Sequence, residues 1–375
     1  MEPKRAASRR KRLWLWIAII VAVVLAIGVM AERIIAGQAK PEALEARINR
    51  NLTESSNGLY RVSIGTSSLS LLGGRYVATD VQLHLDSARL AELRSDKAAP
   101  RDLYTVRIPR LEVTGIRLGA LIRRSVDADR VAITAPDIAI TLDRHIRKAD
   151  GAGPVLPHLA LHGIERAVSI GQLDISDGQL VYRERADDGA RYGRFEFADI
   201  QLGISNITNQ RGRGSDLATI DVRFAAAGKA PVHSTMRYDL FAPRLTMSYE
   251  GGVGSFEPTI FNSMAVDLEG VRITQGQVDT LWFRVEVEDD VAKGRMQARY
   301  RDLRIATLDK ITRDRSLGDH LKSFISNTFT LRVDNPKPDE PIMTAFIRVE
   351  RREDMPLLKF LWHTLRAGVG ETVGI

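Results

Sequence analysis

The chain has 375 residues, 44% hydrophobic and 27% charged, and no cysteine. That length suits two ordinary domains or one elongated one, and the missing thiols exclude disulfide frameworks, thiolate zinc sites and cysteine nucleophiles. The net charge of +7 is concentrated: residues 1–12 carry six basic side chains against Glu2, leaving +2 for the other 363 residues. A body so nearly neutral lacks the basic face that nucleic acid requires, so no nucleic-acid partner is expected.

Residues 1–12 form a basic tip, and residues 13–31 run without a charge. As a helix this stretch would span roughly 28 Å, the thickness of a bilayer core. Leu13, Trp14, Trp16, Ile20 and Val24 mark it as a membrane anchor, with the two tryptophans at interfacial depth. The positive-inside rule keeps the N-terminus cytoplasmic and exports the remainder. Val29-Met30-Ala31 resembles a small-residue cleavage site, which makes a removed signal peptide the alternative, although the apolar run exceeds the usual length of such a segment.

Residues 32–57 read as an exit helix, with Pro41 in its first turn and Leu44, Ile48 and Leu52 on one face. From residue 58 to about residue 350 the hydrophobic period is two. Val77 to Leu85, Leu281 to Glu288 and Phe329 to Asp334 alternate most cleanly, with further strands read from Tyr60 to Val349. Gly73-Gly74, Asp177-Gly178, Asp188-Gly189 and Gly251-Gly252 are turn signals, and short turns predict an antiparallel meander. A repeated grammar accompanies it: Val62-Ser63-Ile64-Gly65, Val106-Arg107-Ile108-Pro109 and Val168-Ser169-Ile170-Gly171 each end in a Gly or Pro break before a second alternating run. Residues 147–157, rich in Gly and Pro, read as a linker between two β segments.

Roughly 16 to 20 strands at about 4.8 Å would make a sheet some 75–95 Å wide, with an apolar face that must be hidden. The helices available for this are few: the exit helix, Ser87 to Leu93, Asp314 to Asn327, and an amphipathic helix within residues 351–375. Two architectures follow, a sandwich or barrel folded over on itself, and an open curved trough lined by lipid. In the trough the inward residues are Val81, Leu83, Leu85, Leu281, Phe283 and Val285, chosen by alternation.

The anchor, the helix after it, and Val62 to Gly65 leading into Leu69-Ser70-Leu71-Leu72-Gly73-Gly74 resemble the AsmA-like family, bacterial inner-membrane relatives of TamB and of the bridge-like lipid-transfer proteins. Tyr104 to Leu118, Val131 to Ile138, Gly270 to Val278 and Gly294 to Leu303 extend the likeness over most of residues 10–310. The resemblance implies a mainly β fold: an N-terminal transmembrane helix, then an elongated, curved antiparallel β-groove over residues 58–350 with a few capping helices. It also implies a single-pass inner-membrane protein with its bulk in the periplasm. Its partners would be phospholipid acyl chains, the inner membrane and other envelope proteins, in phospholipid transport or outer-membrane biogenesis. The rival reading is a non-enzymatic scaffold or assembly factor that binds envelope proteins.

No catalytic constellation is legible, and no cofactor is expected. His158 and His162 have ligand-like spacing but no third partner, and Pro157 argues for a loop there. Asp187-Asp188 and Asp289-Asp290 read as solvated hairpin tips. Leu358, Leu361, Trp362 and Leu365 give the last helix an apolar side that would plug one end of the β structure or, with Lys359 and Arg366, lie in a membrane interface.

Overall fold

The computed structural model describes residues 42–70, 72–117, 119–120, 125–146, 155–187, 190–307 and 332–374. The basic tip, the anchor with Leu13, Trp14, Trp16, Ile20 and Val24, and the helix expected at Asp314 to Asn327 lie outside them. Among the described residues no helix is long and apolar enough to cross a membrane.

Helix α1 (Glu42–Ser56) leads into β1 (Tyr60–Ser70) and β2 (Arg75–Leu85). Its Ile48 and Leu52 pack on the core, as their spacing predicts. Asn49 clamps the sheet edge: its amide donates to the Val62 carbonyl at 2.8 Å and its carbonyl accepts from the Val62 N–H at 2.7 Å. An edge strand otherwise leaves such groups unpaired. Asn49→Ala is expected to cost about 1–2 kcal/mol, read as a lowered urea midpoint, because both bonds are lost together.

Helix α2 (Ser87–Ser95) is capped by Asp86, whose carboxylate accepts from Arg89 N–H at 2.9 Å, and it buries Leu90 and Leu93. The chain continues through β3 (Asp102–Thr114), β4 (Val126–Thr134), β5 (Asp137–Asp143), α3 (Pro157–His162), β6 (Val168–Arg185), β7 (Gly193–Thr208), β8 (Leu217–Ala226), β9 (Ala230–Asp239) and β10 (Met247–Val253). A helical crossing of one 3₁₀, one α and one π turn (258–269) then leads to β11 (Val271–Glu288), β12 (Val291–Thr307), β13 (Thr344–Glu350) and α4 (Leu357–Val373).

Among the described residues thirteen strands form one sheet. It is mainly antiparallel, with one correction to the expected meander. Strands β4 and β5 lie end to end beside β3, and β6 pairs with both of them in parallel. A parallel return needs a crossover, and α3 lies on the way from β5 to β6. Most of the Gly/Pro-rich stretch read as a linker, residues 147–154, lies outside the described residues. Among the described residues several of the short alternating runs are halves of one long strand.

The repeated grammar has the same cause. Gly65 lies opposite Asp80, Asp80 opposite Pro109, and the row of breaks continues through Ala135 and Asp177 to Asp199. A second row joins Gly115, Asp129, Gly171 and Asn206. Asp80, Ala135, Asp177, Asp199, Gly115 and Asn206 all have positive φ, which Gly, Asn and Asp tolerate best. Each break inserts one residue and flips the alternation. In β2 the buried positions are Tyr76 and Ala78 before Asp80, and Val81 and Leu83 after it. Because the breaks align from strand to strand, one face stays apolar across the sheet.

The other face is polar and laced with exposed ion pairs such as Arg75–Glu112 at 2.7 Å, whose contribution to stability is small. The apolar face carries a main core cluster running from Leu59 and Tyr60 at the β1 edge to Ile347 and Phe360 at the β13 edge, and a smaller one around Val278, Ala298, Tyr300, Leu303 and Val373. Helix α4 lies on it with Phe360, Thr364, Gly368 and Thr372 inward. Its Glu371 carboxylate accepts the Phe346 N–H at 3.0 Å, which occupies a donor of edge strand β13.

Candidate lipid-facing surface

Four of the six residues expected to line a trough are enclosed by the protein itself. Val81, Leu83, Phe283 and Val285 are buried in the core, and Leu85 and Leu281 are partly buried against it. Helix α1 packs on β1 and α4 on β12 and β13, and Leu90 and Leu93 of α2 join the same core cluster. These positions were chosen for clean alternation, which marks a buried face without saying what buries it.

The apolar face is only half covered in the middle of the sheet. Phe195, Phe197, Ile200, Leu202 and Ile204 on β7, and Ile220, Val222 and Phe224 on β8, are all of intermediate exposure. Register places Leu202 opposite both Ile175 and Val222, and Phe197 opposite Leu180, so this strip continues the core face outward. On it five phenylalanine rings touch in sequence. Phe224 meets Phe197 at 5.4 Å between centroids, Phe197 meets Phe195 at 5.0 Å, Phe195 stacks on Phe261 at 5.5 Å, and Phe261 meets Phe256 at 5.7 Å. Tilted and offset contacts of this kind are favourable and leave ring faces and edges for further apolar contact.

Phe261 comes from the helical crossing, which sequence periodicity missed because its turns are too short to show a period. The crossing folds back onto the start of β7. A side chain at Gly193 would meet the Met264 sulfur at 3.1 Å and the Ser263 carbonyl at 3.2 Å, so that close approach needs glycine. Phe195 and Phe197 do stand at alternate positions, and the signal available was their size beside neighbours too few in helices to cover them.

The histidine pair does not converge. Pro157 starts a short helix rather than a loop, as its fixed φ allows. His158 is buried with Nδ1 at 2.6 Å from the Tyr238 hydroxyl, while His162 Nε2 lies 2.8 Å from the Leu240 carbonyl. Burial, and then His162, push the His158 pKa down to about 4, against the opposing pull of Asp239 and Asp290. Among the described residues no group of three potential ligands could hold a metal ion.

The Asp289-Asp290 turn also differs from expectation. It is a two-residue hairpin with both φ positive, but Asp290 is buried, not solvated. Its carboxylate pairs with Arg351 at 2.5 Å and Arg244 at 2.8 Å. Burial alone would raise its pKa, but the hydrogen bonds from Arg351 and Arg244 prevail and lower it.

Helix α4 has two unlike sides. One side is packed on the sheet, and the other leaves Leu358 61% and Trp362 56% exposed. Neither a family model nor a curated protein matches this chain.

Proposed function

We propose that the chain is a membrane-anchored, AsmA-like lipid-binding protein of the bacterial envelope that moves phospholipid along a β-groove and so supports the outer membrane. The observation that carries this reading is the half-covered phenylalanine strip on β7 and β8, continuous with the core face and uncharged along Phe224, Phe197 and Phe195. An apolar strip left between covered ends suits an acyl chain, which needs dispersion contacts and no hydrogen bonds. The headgroup then stays at a wet rim.

The test uses the full chain extracted in mild detergent and read by native mass spectrometry. Wild type should retain phospholipid after detergent exchange. Phe197→Glu should lose it while melting as a folded protein, because a carboxylate among acyl chains costs several kcal/mol. Leu83→Glu and Phe283→Glu, inside the packed core, should instead unfold the protein. Wild type free of lipid would end the proposal.

A second reading, a scaffold for envelope proteins, is favoured by one feature of the polar face. Phe346 is 74% exposed there, with Trp282 nearby on β11 and Arg295 at 5.9 Å from the Trp282 ring. Partners crosslinked through this patch, without bound lipid, would support it.

A further inference from the structure

Three cationic side chains gather at one corner of the apolar face. The Arg101 carbonyl accepts the Asp143 N–H at 3.0 Å, which sets Arg101 beside the end of β5. The Arg144 N–H donates to the Arg185 carbonyl at 3.0 Å, and its guanidinium pairs with Glu184 on β6. Lys359, in the first turn of α4, is within electrostatic reach of Arg101, Arg144 and Glu184.

Glu184 and Asp354 both act on Lys359 against Arg144 and Arg101, and its pKa is still held down. Glu184 is shared between Arg144 and the Tyr182 hydroxyl, which donates to it at 2.9 Å, and Asp102 lies within reach of Tyr182. Asp354 pairs with Arg352 at 3.1 Å and is also within electrostatic reach of Lys359. Arg101 Nε is buried with no acceptor among the described residues, an arrangement that costs stability unless an acceptor arrives. The first turn of α4 holds no acidic residue, and its N-cap, Pro356, makes no side-chain bond. Free N–H groups therefore add to the positive potential.

The corner adjoins the phenylalanine strip. Moving inward from Glu184 along β6, the next side chains on its face are Tyr182 and Leu180, paired in register with Phe195 and Phe197. On the outer side, Leu358 stands exposed beside Lys359. A cationic corner beside an apolar strip matches the two halves of one amphipathic molecule.

We infer that this corner binds the phosphate of an anionic phospholipid whose acyl chains lie along Tyr182, Phe195 and Phe197. The inference rests on the lipid-binding reading and adds to it a headgroup class and the residues that select it: Arg101 and Lys359, supported by Arg144. Burial, then Arg144 and Arg101, hold the Lys359 pKa below its ordinary value, and a bound phosphate would offset that.

The test uses the full chain in detergent with three probes: dihexanoyl phosphatidylglycerol, dihexanoyl glycerol and inorganic phosphate. Binding is read by native mass spectrometry and by protection of Lys359 from acetylation. Wild type should bind the phosphatidylglycerol about tenfold more tightly than the neutral glyceride, because a charge-assisted contact is lost in the latter. Arg101→Gln with Lys359→Gln should erase that preference while keeping glyceride binding, which also reports an intact fold. Lys359→Arg should retain the preference, and Arg348→Gln, on the polar face, should leave it unchanged. Equal binding of the two lipids by wild type, or a preference that survives the double substitution, overturns the headgroup site and leaves the groove standing. Protection of Lys359 by inorganic phosphate as strong as by the lipid overturns the lipid as its source. Wild type that binds neither lipid overturns the groove reading itself, and this site with it.

Discussion

Asp290→Ala should destabilise the protein by about 3–5 kcal/mol, the usual cost of removing one partner from a buried ion pair. Asp290 and Arg351 are each only 7% exposed at the side chain. The pair closes the end of the β12–β13 ladder, next to the Val291–Glu350 pairing. Asp290 sits in the β11–β12 hairpin and its N–H donates to the Leu245 carbonyl at 3.0 Å. The Arg351 N–H returns to the Asp290 carbonyl at 2.8 Å. The Arg351 guanidinium also donates to the Met355 carbonyl at 2.8 Å, one residue before the N-cap of α4. Loss of the carboxylate leaves a buried guanidinium without its counter-charge at the point where α4 is set onto the sheet. Urea denaturation measures the effect, and Arg351→Ala in the Asp290→Ala background should add much less than it costs alone, because the interaction has already gone. A single-variant loss under about 1 kcal/mol would show that the pair is solvated.

Mild acid should weaken the fold by about 3 kcal/mol between pH 6.5 and 4 through His158 alone, at about 1.4 kcal/mol per pKa unit. The folded-state pKa is depressed to about 4 from an ordinary 6.5. The unfolded chain therefore takes up the proton as pH falls through 6.5, while the folded protein resists until about 4. Stability is full above that window and declines across it. Asp143 and Asp290, whose pKa values are lowered, lose their contribution only as pH falls below the ordinary carboxylate value, so the two effects separate along the pH axis. His158→Gln should flatten the pH dependence between 6.5 and 4 in urea titrations. A wild-type profile that is already flat there would place the imidazole in water.

Much of this fold is visible in one dimension. The face of α1 with Ile48 and Leu52 and the alternation of Val81 to Leu85 and Phe283 to Val287 are local properties, set by a period of 3.6 or 2. The Gly and Pro breaks were visible too. Their meaning was not, because a bulge and a turn use the same residues, and only pairing tells a bent strand from two strands. The same limit hid the parallel pairing of β6 with β4 and β5.

The candidate site was less legible still. Alternation shows that a side chain turns from water, and Val81 and Phe197 satisfy it equally. Only the placement of α1, α2 and α4 makes the first part of a packed core and leaves the second half open. Arg101, Arg144, Glu184 and Lys359 are far apart in the chain and were not singled out, since nothing marks a charge as a neighbour of another charge 200 residues away.

By itself the sequence determined that this is a mainly β chain with one apolar face, few helices to cover it and no cysteine chemistry, because composition and period are sums over local choices. The tertiary structure decided which part of that face is covered, which acid is buried and which cations meet, because burial depends on where distant segments come to rest.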